Sequence, residues 1–297
     1  MEIILENYLP SSPEKEALQS NTGIKYHLSP TKNLHDLPTI RTLIAQFNTL
    51  VSSSLTTNTI ANTLDTCPAL PLPIIERIMS QTYVRTISPS TDLLKKYAPG
   101  SDNTYGELQP IFCSQIFRET SLTSGKVFLD LGSGVGNVVI QAALETGAEC
   151  WGVESMAHWA HLATAQASEF RARSRLWGLA AGSVHLIHGD FLDCPQLSTL
   201  LPRADVIIVN NFKFSAATND SLKLHFLNLK EGAKVVSLRS FVSAELRERN
   251  RDDVGGTFEV VEKVSWSDAV SWEGDPVTYY VATKDSGRIE RILGRGR

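Results

Sequence analysis

The sequence predicts a doubly wound α/β domain on a mostly parallel sheet, preceded by a small helical subdomain. Three observations predict it. From Val127 onward, short β-branched runs alternate with helical stretches, the signature of βαβ units and a parallel sheet. The first run ends in an acid and a glycine turn, Asp130-Leu131-Gly132-Ser133-Gly134-Val135-Gly136. Residues 1 to about 90 show no such alternation.

Element by element, VFLDLGSG leads into helix-like NVVIQAALETG, and short ECWGVE follows. A long helical segment runs from Met156 to Trp177, then come VHLIHGD, a short helix and DVIIVNN. Another helix is expected from Ser221 to Leu229, followed by KVVSL. FEVVEKV and VTYYVAT have no long helix between them, so they can pair antiparallel at one sheet edge, as mixed sheets often do. In the front segment, Leu37, Ile40, Leu43, Ile44 and Phe47 recur at helical spacing behind Pro38, which suits a helix start. SSSLTTNTIANTLDT reads as a loop or linker. Pro71 and Pro73 precede a second helical pattern through Ile74, Ile75, Ile78 and Met79. The expected organisation is a helical subdomain and linker over 1–94, a catalytic domain over 95–285 and a basic tail over 286–297.

Composition narrows the class. A chain of 297 residues, 42% hydrophobic, can bury a sizeable core. No run approaches the roughly 18 uncharged apolar residues of a membrane span, and MEIILENYLP lacks the basic and apolar regions of a secretory signal. Cys67, Cys113, Cys150 and Cys194 form no CxxC pair, so they read as ordinary thiols of a reducing compartment, cytoplasm or nucleus. The net charge of −4 argues against a free-standing nucleic-acid binder. The candidate for a polyanion contact is the C-terminal tail, where Arg288, Arg291, Arg295 and Arg297 outnumber the acid Glu290. It reads either as a polyanion contact or as a solvated, frayed end.

The glycine turn is spaced GxGxG, with Asn137 following Gly136, whereas a dinucleotide fingerprint places its third glycine one residue later. An acid just before the loop suits a nucleoside carrying a cationic amino-acid arm, and would repel a pyrophosphate. Asp130 can pair with the ammonium of S-adenosylmethionine. Glu154 ends the next strand, where an acid accepts ribose hydroxyls. Asp190 and Phe191 end the third strand. Asp190 can accept an adenine amino group or cap the next turn, and Phe191 can stack on the ring. Asn210-Asn211-Phe212-Lys213-Phe214 ends the fourth strand, at the face where the transferred methyl would lie. Many amino-methyltransferases carry (D/N)PP(Y/F) here; this chain has no prolines at that point. His158 and His161 share a helix without a third ligand, so no metal is expected. Ser133 and Ser271 have no His/acid partner for nucleophilic chemistry.

Taken in order, VFLDLGSGVGNVVIQAA, GVE, GDF, VNNFKF, VSWEGDPVTYY and upstream Tyr105-Gly106-Glu107 resemble the disruptor-of-telomeric-silencing family, the non-SET methyltransferases of histone H3 lysine-79. The likeness covers roughly residues 95 to 285. It implies a seven-stranded class I methyltransferase sheet, S-adenosylmethionine as cofactor with S-adenosylhomocysteine as product, and a nuclear, monomeric enzyme acting on histone H3 in the nucleosome. It further implies that Tyr105 and Glu107 fold over the cofactor, that Asp130, Gly132 and Gly134 hold its methionine part, that Glu154 holds the ribose, and that Asp190 and Phe191 hold the adenine. Asn210 would lie at the methyl-transfer site, and Phe212, Phe214, Trp272 and Tyr279 in or behind a lysine channel, with Asn210, Phe212 and Tyr279 serving catalysis. Core roles remain open for Phe214 and Trp272. Lys213 departs from the small or apolar residue of familiar members, and an outward pose is expected for it. Gly100 stands where some relatives have a channel aromatic. The chain also lacks the long polybasic extension that such enzymes use on nucleosomal DNA. The rival expectations are a related methyltransferase of a non-histone lysine or a small amine, a nucleobase amino-methyltransferase, and a non-catalytic cofactor-binding scaffold.

Overall fold

The computed structural model describes residues 1–27, 36–67, 69–97, 102–242 and 254–288. The chain divides into two units, Met1–Ile74 and Ile75–Arg297.

The first unit is helical. It holds α1 (Glu2–Asn7), α2 (Pro13–Gln19), α3 (Ile24–His27), α4 (Leu37–Thr56) and α5 (Thr59–Asp65). Asp36 caps α4 by accepting the Thr39 N–H at 3.1 Å, with Pro38 in the first turn. The apolar stripe places Phe47 in a core with Leu5, Leu9, Leu18 and Ile24. The Ser/Thr-rich stretch expected to be a loop is helical instead. Its hydroxyls donate back along the helix, as Thr56 does to the Ser52 carbonyl and Thr63 to the Thr59 carbonyl. Leu50, Val51 and Ile60 dock on the same core. Packing of those three side chains outweighs the low helix propensity of Ser, Thr and Asn.

The second unit carries the sheet. The division falls at the start of α6 (Leu72–Thr86), which is followed by α7 (Thr91–Leu94). The boundary expected at 94 therefore lies twenty residues earlier. Ile87 and Leu94 explain the shift: both are buried with Val135, Trp159 and Leu162 of the α/β core. After α8 (Pro110–Glu119) come β1 (Val127–Leu131), α9 (Asn137–Thr146), β2 (Glu149–Glu154), α10 (Ala157–Leu176) and β3 (Val184–His188). Then follow α11 (Leu197–Leu200), β4 (Val206–Val209), α12 (Ala216–His225), β5 (Lys234–Ser237), β6 (Phe258–Val264) and β7 (Thr278–Lys284). Helix α12 starts five residues before the expected Ser221, because Ser215 caps it through the Thr218 N–H.

The seven strands are ordered β3-β2-β1-β4-β5-β7-β6. The first five are parallel, and β7 runs antiparallel between β5 and β6. Alternation sends Phe128, Cys150 and Ile208 into one core with α8 and α9. Leu129, Val153 and Ile207 go into the other with α11 and α12. Strand order reverses at β1, between β2 and β4, and the crevice at such a switch point is where open α/β sheets bind ligands. Asp130 is the acid in an otherwise apolar, fully buried β1.

Candidate functional site

A cavity opens at the carboxyl ends of β1, β2 and β4. Asp130, Gly132 and Gly134 line its floor. The glycine turn is sewn to β2, since the N–H groups of Gly132 and Ser133 both donate to the Val153 carbonyl, at 2.9 and 3.0 Å. Gly134 has φ +55°, and a Cβ there would stand 3.2 Å from the Tyr105 ring. A side chain would be strained and would displace that ring.

Glu154 is buried at the end of β2 and accepts the Gly134 N–H at 2.8 Å and the Met156 N–H at 2.7 Å. Burial raises its carboxyl despite those bonds. Asp130 is pushed up to about 7, first by burial and then by the Glu154 charge. Asp102 and Glu107 also line the cavity, but among the described residues no lysine, arginine or histidine does. Two buried acids facing a cavity lined by no described cation suit a ligand that brings its own positive charge and hydroxyl donors. S-adenosylmethionine, with its ammonium, sulfonium and ribose, fits that wall; a pyrophosphate would be repelled.

At the end of β3 the two expected residues part company. Phe191 is buried, lines the cavity and stacks on Phe214 with ring centroids 5.6 Å apart. Asp190 is exposed and outside the lining, and its Oδ1 accepts the Leu192 N–H at 2.9 Å. That is a turn-forming role.

At the end of β4, Asn210 lines the cavity and its amide donates to the Gly106 carbonyl at 3.2 Å. Asn211 is fully buried and holds the segment in place. Its oxygen accepts the Leu238 and Arg239 N–H groups, and its amide donates to the Arg239 carbonyl. Phe214 lines the cavity, but Phe212 does not. Phe212 instead packs on Trp272 at 5.6 Å, and the exposed Lys213 and Arg239 lie over its ring at 5.2 and 5.7 Å. Lys213 therefore points away from the cavity.

Residues 102 to 108 form a strap along the cavity. Tyr105 donates its hydroxyl to Glu107 at 2.5 Å and packs edge-on to Trp159 at 5.2 Å. Burial, then the Glu107 carboxylate, raises the Tyr105 phenol strongly. Glu107 donates its N–H to the Ser271 hydroxyl, and Ser271 returns its own N–H to the Glu107 carbonyl, both at 2.9 Å. Leu108 pairs with Val270 beside them. Trp272 backs the strap outside the lining. A Cβ on Gly106 would fall 2.5 Å from its indole.

Tyr279 needs correction as a channel residue. It is fully buried in the α8 face of the sheet, outside the cavity lining. Its hydroxyl donates to Glu119 at 3.0 Å and accepts from Gln115 at 2.9 Å, and its ring meets Phe112 edge-on at 5.1 Å. Strand alternation sets its direction, and α8 satisfies its hydroxyl. Of the other expected residues, Gly100 and the tail arginines Arg291, Arg295 and Arg297 lie outside the described residues. Sequence reasoning missed Asp102, Trp159, Asn211 and the strap-fastening role of Ser271. It also missed Tyr83, whose phenol is raised by burial and then by the Glu107 charge. Asp102, Trp159, Ser271 and Tyr83 sit neither in the glycine turn nor at a strand end, and Asn211, which does follow the end of β4, is told apart from Asn210 only by its buried bonds to Leu238 and Arg239.

Comparison with known proteins agrees with this geometry. Residues 83–284 match the family described as histone methylation protein DOT1. A relative from Aspergillus fumigatus is 44% identical over 292 residues, covering 98% of this chain and 58% of the relative. One from Emericella nidulans is 43% identical over 292 residues, with the same coverages. One from Yarrowia lipolytica is 37% identical over 263 residues, covering 88% of this chain and 54% of the relative. All three are named histone-lysine N-methyltransferase, H3 lysine-79 specific. The chain spans somewhat more than half the length of these relatives. With the family matched across the whole sheet-bearing core, the chain belongs to the DOT1 family of histone methylation proteins.

Proposed function

We propose that this chain is an S-adenosylmethionine-dependent protein-lysine N-methyltransferase that modifies lysine-79 of histone H3 in nucleosomes. The observation that carries the reading is the cavity wall, with Asp130 and Glu154 buried side by side and no cation among the described residues that line it. Family membership and the names of the relatives support the substrate.

Bound there, S-adenosylmethionine supplies a methyl group already activated on a sulfonium. Asp130 takes its ammonium, and Glu154, with lone pairs left over from two N–H groups, takes the ribose hydroxyls. Phe191, stacked on Phe214, offers an apolar ring for the purine. Tyr105 and Glu107 hold the strap and exclude water. The amide nitrogen of Asn210 is committed to Gly106, which leaves the oxygen to orient the acceptor amine. An acceptor lysine has a pKa of about 10.4 in water and must lose its proton before attack. Phe214 would wall its approach, and its apolar surface favours the neutral amine, with Phe212 and Trp272 packed together outside the cavity lining. Catalysis then rests on holding the reacting atoms about 3 to 3.5 Å apart.

The reading places the protein in the nucleus as a monomer, with histone H3 as partner and the C-terminal arginines, Arg288 onward, touching nucleosomal DNA. It is tested by transfer of labelled methyl to recombinant nucleosomes, free histone H3 and small amines, followed by mapping of the modified residue. Label on lysine-79 of assembled nucleosomes is expected. Preference for free peptides or small amines would overturn the substrate. Deleting 286–297 should weaken nucleosome methylation at low salt, and added salt should narrow the difference, because exposed charges are screened over about 8 to 10 Å.

A further inference from the structure

We propose that Asp102 is a positioning residue that clasps the strap over the cavity to the start of α12; the proposal rests on reading the cavity as the S-adenosylmethionine site. The clasp joins positions 113 residues apart. One carboxylate oxygen of Asp102 accepts the Ser215 N–H at 2.7 Å. The other accepts the Ser215 hydroxyl at 3.1 Å and the Thr218 hydroxyl. Ser215 is itself the N-cap of α12, accepting the Thr218 N–H at 3.2 Å. Asp102 therefore adds a negative cap from a distant loop at the positive end of a ten-residue helix. Burial alone would raise its carboxyl, but the Thr218 and Ser215 donors outweigh it and hold it below the ordinary carboxylate range. The clasp is charged at neutral pH.

One half of this clasp, Asp102, lines the cavity, and the other half follows directly on its wall. Asp102 to Leu108 line one side. Helix α12 begins directly after the segment that contributes Asn210 and Phe214 to the same wall. The far end of the strap is fastened by the Glu107–Ser271 pair, and Asp102 fastens the near end. Between them Tyr105 covers Gly134, and the Gly106 carbonyl orients the Asn210 amide. Releasing the near end frees Tyr105 and Gly106 to move, which admits water to the Asp130–Glu154 pair and loosens Asn210. A mere loop anchor would change none of these.

Wild type, Asp102→Ala, Asp102→Asn and Thr218→Val separate the two cases. Amide hydrogen exchange in the ligand-free proteins reads the strap itself, and the dissociation rate of S-adenosylmethionine reads the consequence. In Asp102→Ala, exchange over 103–108 and cofactor release should each rise about tenfold, the scale set by lost bonds to a charged acceptor. The KM for cofactor should rise more than kcat falls. Asp102→Asn, which keeps an oxygen for the Ser215 N–H, should recover part of the loss. Thr218→Val should show a smaller loss of the same kind. If Asp102→Ala does not fold, the other two variants carry the test. Unchanged exchange over 103–108 overturns the clasp. Faster exchange with unchanged cofactor release and KM overturns its positioning role alone. Wild type that binds no S-adenosylmethionine overturns the cofactor reading and the positioning role together, whatever the exchange rates.

Discussion

The carboxyl ends of β1 and β2 and the aromatic cluster near β7 treat buried polarity in opposite ways. At the first, Asp130 and Glu154 are buried beside each other, both raised by burial, with no cation lining the cavity among the described residues. At the second, Tyr279 is just as buried, but Glu119 and Gln115 satisfy its hydroxyl, and Lys263 pairs with Glu119 at 3.2 Å. One region leaves buried carboxyls raised by burial, which is expected to weaken the fold at high pH. The other is complete and serves the fold. A buried polar residue near a site is thus assigned by whether its partners are already present, more than by its distance from the site.

Four measurements break or sharpen that contrast. The largest effect is expected for Tyr279→Ala, which should lower unfolding free energy by about 3–5 kcal/mol through the cavity left in the core, read by denaturant titration. A variant of normal stability that has lost turnover would return Tyr279 to the site. Asp130→Asn should move the other way. A carboxyl raised above its unfolded value stabilises the fold fully below about pH 4, and that contribution is lost as pH rises through about 7. At pH 8 the ligand-free Asn variant should therefore exceed wild type by roughly 2–4 kcal/mol, with the gap closing as pH falls toward 4. It should also bind S-adenosylmethionine more weakly. Equal stability at pH 8 would mean that Asp130 carries no unmet charge.

Glu154→Gln keeps one acceptor oxygen for the glycine turn but removes the charge. Calorimetry should show cofactor affinity weaker by about 1.5–3 kcal/mol, the range for hydrogen bonds to a charged group. Unchanged affinity in a folded variant would remove Glu154 from the ribose. The smallest effect on binding is expected for Asn210→Ala. Cofactor affinity should change by about 1 kcal/mol or less, while kcat falls, because its oxygen is assigned to the acceptor. Full kcat would take Asn210 out of the reaction.

What could be read from residues alone was what local chemistry dictates. The strands follow from short β-branched runs alternating with helical stretches, and all seven expected strands are present. The glycine turn and the acids at 130 and 154 are set by the strand ends they occupy, and the structure brings both acids to one cavity. Composition misled at 52–66, where Ser and Thr signalled a loop, because three apolar side chains could find a core that the local sequence does not contain. The same limit applies at Asp190, where a strand-end acid turned out to shape its own turn.

The sequence by itself determined the doubly wound sheet, the glycine turn and the pair of strand-end acids, because each depends on spacing within a few residues. Only the tertiary structure decided that Tyr279 points into the core, that Phe212 and Trp272 stand behind the strap, and that Asp102 and Ser271 fasten it. Those assignments depend on which residues meet across tens to more than a hundred residues of chain, as Phe212 meets Trp272 and Asp102 meets Ser215. Such meetings follow from the order in which strands assemble, and no local pattern encodes them.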